Sequence, residues 1–268
     1  MPTVLAVRQV ETLREYMEQI EELMAPRLPL WYRGVGSATH QLIPSLYRHA
    51  SITGAAELMN LEARILQRFR ERSIPYQPIP VEKDWELLFL MQHFGVPTRL
   101  LDWTENPYIG LFFALTGAKI DYDTGIADGP AAVWVLGPEL WNQHTLSDIS
   151  YDGGVLSIGS DPLKSYTPLG DPQYMRVAPA AMYGLHNSPR IVAQRGVFTI
   201  FGKEAASLED LFAANDYPSE VLVKFEFPPE KIADLRESLF AIGVTDSVVY
   251  PDLAGLALEL KRYFGFRV

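Results

Sequence analysis

A change of hydrophobic period near Gly129 constrains this fold more than any other feature. Before it, apolar residues recur at steps of three and four. Val10, Leu13, Met17, Ile20 and Met24 form one such series; Leu58, Leu61, Ile65, Leu66 and Phe69 form another within 54–72; Trp85, Leu88, Phe89 and Met91 form a third within 82–94. That spacing lays a single apolar stripe along a helix, and it predicts helices over 4–24, 54–72 and 82–94. One more helix starts at Asn106-Pro107, an N-cap followed by a first-turn proline, and its body YIGLFFALTGA is apolar all round and therefore buried. Leu30 to Gly34 breaks the helical series as an aromatic run halted by glycines, which reads as a buried strand entering a tight turn. After Gly129 the runs shorten. Ala131–Leu136, Arg190–Ala193, Val197–Phe201, Val221–Phe227 and Ser247–Tyr250 predict strands. Helices over Pro228–Ile242, with Gly243 beyond its end, and over Asp252–Phe264, capped by Asp252, complete the chain. Helices come first and strands mostly later, without βαβ alternation. This predicts an α+β class, with N-terminal helices packed on a mainly antiparallel sheet. Residues 1–29 read as an amphipathic N-terminal helix and 30–268 as a single domain.

Between Tyr151 and Pro189 five glycines and five prolines fall within 39 residues, which forbids long regular elements. A loop of that length is expected to persist for function, over or beside the main pocket. At 268 residues and 48% hydrophobic, the chain buries a large core and is not disordered. Its net charge of −10 argues against a general nucleic-acid binder. The absence of cysteine removes disulfides, thiolate metal sites and thiol nucleophiles. No apolar run reaches 18 residues, and the short apolar start runs into charged helix, so neither a membrane helix nor a secretory signal is expected and a cytoplasmic location is. Five scattered histidines at 40, 49, 93, 144 and 186 predict no metal site. A P-loop, G-x-G-x-x-G, H-E-x-x-H and G-x-S-x-G are all missing.

Three tracts could carry chemistry. In Gln92–Thr104, an amide, an imidazole, a guanidinium, a carboxylate and an indole crowd into 13 residues. Gly95 and Pro97 end the preceding helix, so Thr98–Thr104 is expected to be irregular, anchored by Leu100 and Leu101. Arg99 and Asp102 are near enough in sequence to pair as a buried ion pair, and His93 is a candidate general base oriented by Asp102. In the second tract, Arg33 stands at a strand end beside Gly34, whose lack of a Cβ admits another backbone or a ligand. An arginine there suits phosphate recognition, or it pins the strand internally. In the third, Gln194 lies at a bulge or turn between two apolar runs and faces either a pocket or water.

These tracts resemble a known family. Tyr32-Arg33-Gly34 with LIPSLYR, QHFGVPTRLLDWTENP with the following LFFAL, and RIVAQRGVFTIF are together similar to the FRG domain, named for a Phe-Arg-Gly motif in which Tyr32 here replaces the Phe. The segment VVYPDLAGL is similar to the family's ending, so the resemblance runs over about 30–260. It implies a cytoplasmic protein of bacteria or their mobile elements, phage defence included. Tyr-Arg-Gly is also similar to the first motif of arginine-type ADP-ribosyltransferases. That likeness implies that Arg33 holds the phosphates of NAD, Thr199 supports the nicotinamide side, and Asp252 or Glu226 supplies the late acid. The chain departs from that pattern, with no Glu-x-Glu pair on a late strand and no Ser-Thr-Ser. The candidate set is therefore His93, Asp102 and Asp252 for catalysis, and Tyr32, Arg33, Gly34, Gln92, Arg99, Gln194 and Thr199 for ligand binding. Two functions remain open: a nucleotide-binding, NAD-consuming or ADP-ribosyl-transferring enzyme, and a module that binds a ligand or protein without turnover. Convergence of Arg33, Gln92, His93, Arg99 and Gln194 on one open cleft would favour a small-molecule site.

Overall fold

The computed structural model describes residues 3–24, 28–77, 80–121, 123–151, 153–185, 188–266 and 268. The predicted first helix begins late. Ala6–Gln9 is a strand (β1), and the helix (α1) spans only Leu13–Met24. The helix start is set chemically: Thr12 Oγ1 accepts from the Glu15 amide at 3.2 Å, and the Glu15 carboxylate accepts from the Glu11 amide at 2.9 Å. That is a variant of the capping box, and it cuts the helix off from Val10. Strand β2 (Trp31–Val35) follows, then α2 (Ala55–Ser73) and α3 (Asp84–His93), close to expectation. The tract expected to be irregular is instead strand β3 (Leu100–Thr104). It is buried on both sides except at Asp102, so it lacks the alternation that marks a half-exposed strand. Helix α4 (Pro107–Gly117) is capped by Asn106, which accepts from the Tyr108 amide at 2.9 Å.

Strand β4 (Ala131–Leu136) leads into α5 (Pro138–Thr145). The Gly/Pro-rich stretch then runs as turns and short 3₁₀ segments, with one three-residue edge strand, β5 (Ala180–Met182). The strand expected over Arg190–Ala193 is a short helix, α6 (Pro189–Ala193), capped by Ser188 with proline in its first turn. After it come β6 (Gly196–Ile200), α7 (Leu208–Ala214), β7 (Leu222–Phe227) and α8 (Ile232–Ala241). Gly243 beyond α8 has φ +91°, a left-handed conformation suited to glycine. The strand expected over Ser247–Tyr250 is helical instead, α9 (Asp246–Val249), and α10 (Leu253–Tyr263) is the last helix, capped by Asp252. Among the described residues no helix is long and apolar enough to cross a membrane.

The strands form one sheet in the order β1-β7-β4-β2-β3-β6-β5, parallel at β1/β7 and antiparallel elsewhere. Helices cover both faces, which gives an α+β fold. Tyr32, Val133, Val135, Phe225 and Phe227 pack on one side with Tyr16 and Ile20 of α1, Phe112 of α4 and Leu235 of α8. Trp31, Leu101, Trp103 and Trp134 pack on the other with Leu58 of α2, Trp141 of α5 and Phe212 of α7.

Two local features build the site. At the first, α4 lies almost on the backbone of β2. A Cβ on Gly34 would sit 1.9 Å from the Gly110 carbonyl oxygen, and one on Gly36 would sit 2.0 Å from that of Gly117. Gly34 therefore admits a helix backbone rather than a ligand. The second is a split in the sheet. Strand β2 pairs with β4 through all five of its residues, and β3 pairs likewise with β6, but β2 and β3 pair only at Tyr32↔Thr104. The cleft described next opens beside this split.

Candidate functional site

The cleft has a volume of about 260 Å³ and is lined by residues of β2, α3, β3, α4, α6 and β6. Asp102 forms its floor. A hydrogen-bond chain fixes that carboxylate. Thr98 Oγ1 accepts from the Leu100 amide at 3.1 Å and donates to Gln92 Oε1. This orients the amide, so that Gln92 Nε2 donates to Asp102 Oδ2 at 2.6 Å. Across the split, Arg33 Nη1 donates to the Asp102 carbonyl oxygen at 2.7 Å, while its buried Nε has no hydrogen-bond partner. The arginine thus takes the place of a ladder bond that the diverging strands cannot make.

Water reaches the Asp102 side chain, yet the surrounding walls displace much of its hydration. Burial therefore raises its pKa, against the opposing pull of Arg33 and of the Gln92 hydrogen bond. Burial and the positive charge of Arg190 lower the pKa of His93, and Asp252 acts in the opposite sense. His93 is accordingly a neutral imidazole at pH 7, with Nδ1 3.5 Å from Ser188 Oγ. Phe89 and Phe198, 5.0 Å apart between ring centroids, make one wall, and Phe113 and Tyr32 contribute to the rest. Arg190 lies over the Tyr250 ring at 4.4 Å. Two guanidinium groups against one carboxylate leave the cleft with an excess of positive charge.

Seven of the ten residues singled out from sequence line this cleft: Tyr32, Arg33, Gly34, Gln92, His93, Asp102 and Gln194. The Gln194 side chain is itself tied down, donating to the Val249 carbonyl oxygen at 3.1 Å. Three residues lie elsewhere. Arg99 does not pair with Asp102. It is fully buried, and its guanidinium meets Glu62 of α2 at 3.0 Å and the Tyr166 carbonyl oxygen at 2.5 Å. Residues 99 and 102 are an odd number apart on extended chain, so they leave it on opposite sides. Thr199 is buried and accepts from the Trp103 indole nitrogen at 3.1 Å, on the side of the sheet away from Phe198. Asp252 is exposed outside the cleft and caps α10, accepting from the Gly255 amide at 2.8 Å. Glu226, the other late acid considered, pairs with Lys224 at 2.7 Å, also outside the cleft. None of the described residues of 151–189 lines the cleft. The stretch lies beside the cleft instead of over it: Met182 and Gly184 back the Phe89–Phe198 wall, and Ser188 reaches His93.

Sequence reasoning did not single out Arg190 or the aromatic wall. Arg190 was hidden by reading its segment as a strand. Phe89 and Phe113 look like ordinary members of apolar helices, and only the fold places them against the cleft.

No curated protein and no solved structure matches the chain. Residues 29–122 match the family model of the FRG domain. That span runs from β2 through α4, and it contains the cleft floor, the split and the glycine seam; Arg190, Gln194 and Phe198 lie beyond it. Residues 29–122 are the part of the chain that is similar to the FRG domain.

Proposed function

We propose that the cleft binds a nucleotide of the NAD kind by its nicotinamide end, and that the chain is an enzyme that cleaves the glycosidic bond there. The observation that carries this reading is the meeting of Arg33, Gln92, His93 and Asp102 in one aromatic-walled cleft with excess positive charge. A volume of 260 Å³ equals about nine waters at the liquid value. That accommodates one ring with part of a sugar, and a dinucleotide would have to leave its phosphates at the rim. Arg190 is the rim cation suited to receive them; Arg33 is already engaged with the Asp102 backbone.

Each group then has a chemical task. The Asp102 carboxylate, held by Gln92, faces the cationic ribose that develops as the C1′–N bond breaks. The bonding electron pair leaves with the nicotinamide nitrogen. Neutral His93 takes the proton of the attacking hydroxyl, whether of water or of an acceptor, as its oxygen bonds to C1′. Arg33 positions Asp102.

The test is titration calorimetry with NAD, ADP-ribose and ATP, together with chromatographic detection of released nicotinamide. Wild type is expected to bind NAD and release nicotinamide. Asp102→Asn keeps the shape and is expected to lose roughly a hundredfold or more in turnover while still binding. Absence of any binding at millimolar nucleotide, with no nicotinamide released, refutes the reading. Binding without release would identify a non-catalytic module.

A further inference from the structure

The segment Val249-Tyr250-Pro251-Asp252 lies outside the cleft lining, yet three lining residues rest on it. Helix α9 stops at Tyr250 because Pro251 disfavours the helical conformation of the residue before it; Tyr250 has φ −118° and ψ 87°. Its amide donates to the Asp246 carbonyl oxygen at 2.8 Å, and its own carbonyl oxygen accepts from the Asp252 amide at 2.8 Å. Helix α10 presses on it from outside. A Cβ on Gly255 would stand 2.0 Å from the Tyr250 carbonyl oxygen and 2.7 Å from the Tyr250 Cβ. Polar contacts latch that helix in place. Glu259 accepts from Thr245 Oγ1 at 2.6 Å and from the Ser247 amide at 3.0 Å, and Arg262 pairs with Asp246 at 2.9 Å. The segment so fixed reaches the cleft three times. The Val249 carbonyl oxygen holds the Gln194 amide at 3.1 Å, the Tyr250 ring meets the Phe113 ring edge-on at 6.2 Å, and the same ring carries the Arg190 guanidinium at 4.4 Å.

We propose that Tyr250 is a positioning residue: its ring holds the Arg190 guanidinium at the cleft mouth, where the donors of that group grip the pyrophosphate of a dinucleotide. This rests on the reading that the cleft takes the nicotinamide end of such a molecule. The choice of an aromatic partner is what carries the argument. A carboxylate would cancel the charge of Arg190 and occupy its donors. A ring attracts the cation through its quadrupole and leaves the N–H groups free for oxygen acceptors. The position is also right. Arg190 lines the cleft, and its charge lowers the pKa of both His93 on α3 and Asp102 on β3, so it stands within electrostatic reach of both. A cleft of 260 Å³ filled by a ring and part of a sugar leaves the pyrophosphate at the mouth. Arg33 already donates to the Asp102 carbonyl oxygen, which leaves Arg190 as the guanidinium to meet it.

The test compares NAD with nicotinamide riboside, which has the same glycosidic bond and no phosphate, above the range in which His93 titrates. Tyr250→Leu is expected to raise KM for NAD by roughly tenfold at unchanged kcat, and to leave nicotinamide riboside as it is. Tyr250→Phe keeps the ring and is expected to restore most of the NAD affinity. In an Arg190→Gln background, Tyr250→Leu is expected to add nothing further. A second reading needs no nucleotide. NMR titration of the free protein is expected to show the His93 pKa rising in Tyr250→Leu as it does in Arg190→Gln, and staying put in Tyr250→Phe. Three results overturn the proposal: equal losses for NAD and nicotinamide riboside, full additivity with Arg190→Gln, or a His93 pKa that Arg190→Gln moves and Tyr250→Leu does not. If Tyr250→Leu fails to fold, ring-fluorinated phenylalanine at position 250 keeps the shape and weakens the quadrupole; an unchanged KM for NAD along that series overturns the proposal too. If wild type neither binds nor cleaves NAD, the nicotinamide reading and the pyrophosphate grip fall together, and the His93 titration alone decides whether Tyr250 holds Arg190.

Discussion

Removing the Arg99 guanidinium tests the core of the FRG segment most directly. Arg99 and Glu62 are both buried, joined at 3.0 and 3.1 Å, with the Tyr166 carbonyl oxygen at 2.5 Å and Met175 Sδ at 3.4 Å completing the guanidinium's surroundings. Arg99→Met fills similar space and leaves Glu62 charged without its partner. Breaking such a pair costs about 3–5 kcal/mol, of which most is the stranded charge rather than the lost attraction. For a domain of this size that is a fall in Tm of roughly 6–12 °C. The pH dependence follows from Glu62. Burial raises its pKa, and Arg99 opposes the rise. Without Arg99 the folded-state pKa climbs further, so the folded state binds a proton over a range where the unfolded state does not. Stability of the variant therefore falls as pH rises from the ordinary carboxylate range through that raised pKa, and the deficit against wild type shrinks on acidification. Adding Glu62→Gln removes the stranded charge and is expected to recover most of the loss. Calorimetric melting of the two single variants and the double, at neutral and acidic pH, checks each step. If Arg99→Met melts within about 2 °C of wild type, or if Glu62→Gln deepens its deficit, the stranded-charge reasoning fails.

Three further outcomes are expected. Gly34→Ala drives a Cβ into the Gly110 carbonyl and the Ala114 amide, so it should cost about 3 kcal/mol or more and show as a large drop in Tm or in soluble yield. Arg33→Lys keeps the charge but loses the fork that reaches the Asp102 carbonyl. A loss of roughly 1.5–3 kcal/mol in denaturant unfolding is expected, and an unchanged midpoint would deny Arg33 its bridging role. Arg190→Gln should raise the His93 pKa and Asp252→Asn should lower it; NMR titration of the imidazole reads both, and shifts of the same sign would contradict the placement of those charges.

The parts legible in the sequence are those whose signals are local. The stripes of α2 and α3, the Asn106 cap, the glycine after α8 and the alternation in β7 all rest on neighbours within a turn or two. The capping signal Thr12–Glu15 was equally local but lost to a helical stripe that ran through it, and Ala6–Gln9 joined β7 instead. Arg190–Ala193 is too short for its period to be told, although Ser188-Pro189 spells a helix start. The partner of Arg99 was out of reach for another reason. It stands 37 residues earlier on α2, and nothing in the spacing of Arg99 and Asp102 reveals that extended chain sends them apart. The cleft depended on the same kind of information. Gln92, His93 and Asp102 lie close together in sequence, while Arg33, Arg190 and the aromatic wall join them only in the fold.

The Tyr-Arg-Gly triplet makes sense as one device. Tyr32 is the only residue of β2 paired with β3, Arg33 is the first beyond that pair, and Gly34 is the point of closest approach to α4. Where the backbone ladder stops, the guanidinium carries a donor across the widening gap to the Asp102 carbonyl. A lysine has no rigid fork to hold that line, and a larger residue at 34 would lift α4 away and take the Phe113 wall with it. Side chains alternate along a strand, so the strut and the helix seam occupy opposite faces of adjacent residues and do not compete. The cleft is thus a consequence of how the sheet is held open. Its floor acid is placed by Gln92 from α3 and by Arg33 from β2, both within the matched FRG span. The rim cation Arg190 and the wall residue Phe198 come from the later part of the chain. The acid is therefore held wholly by the matched segment, whereas the cleft around it is completed by α6 and β6.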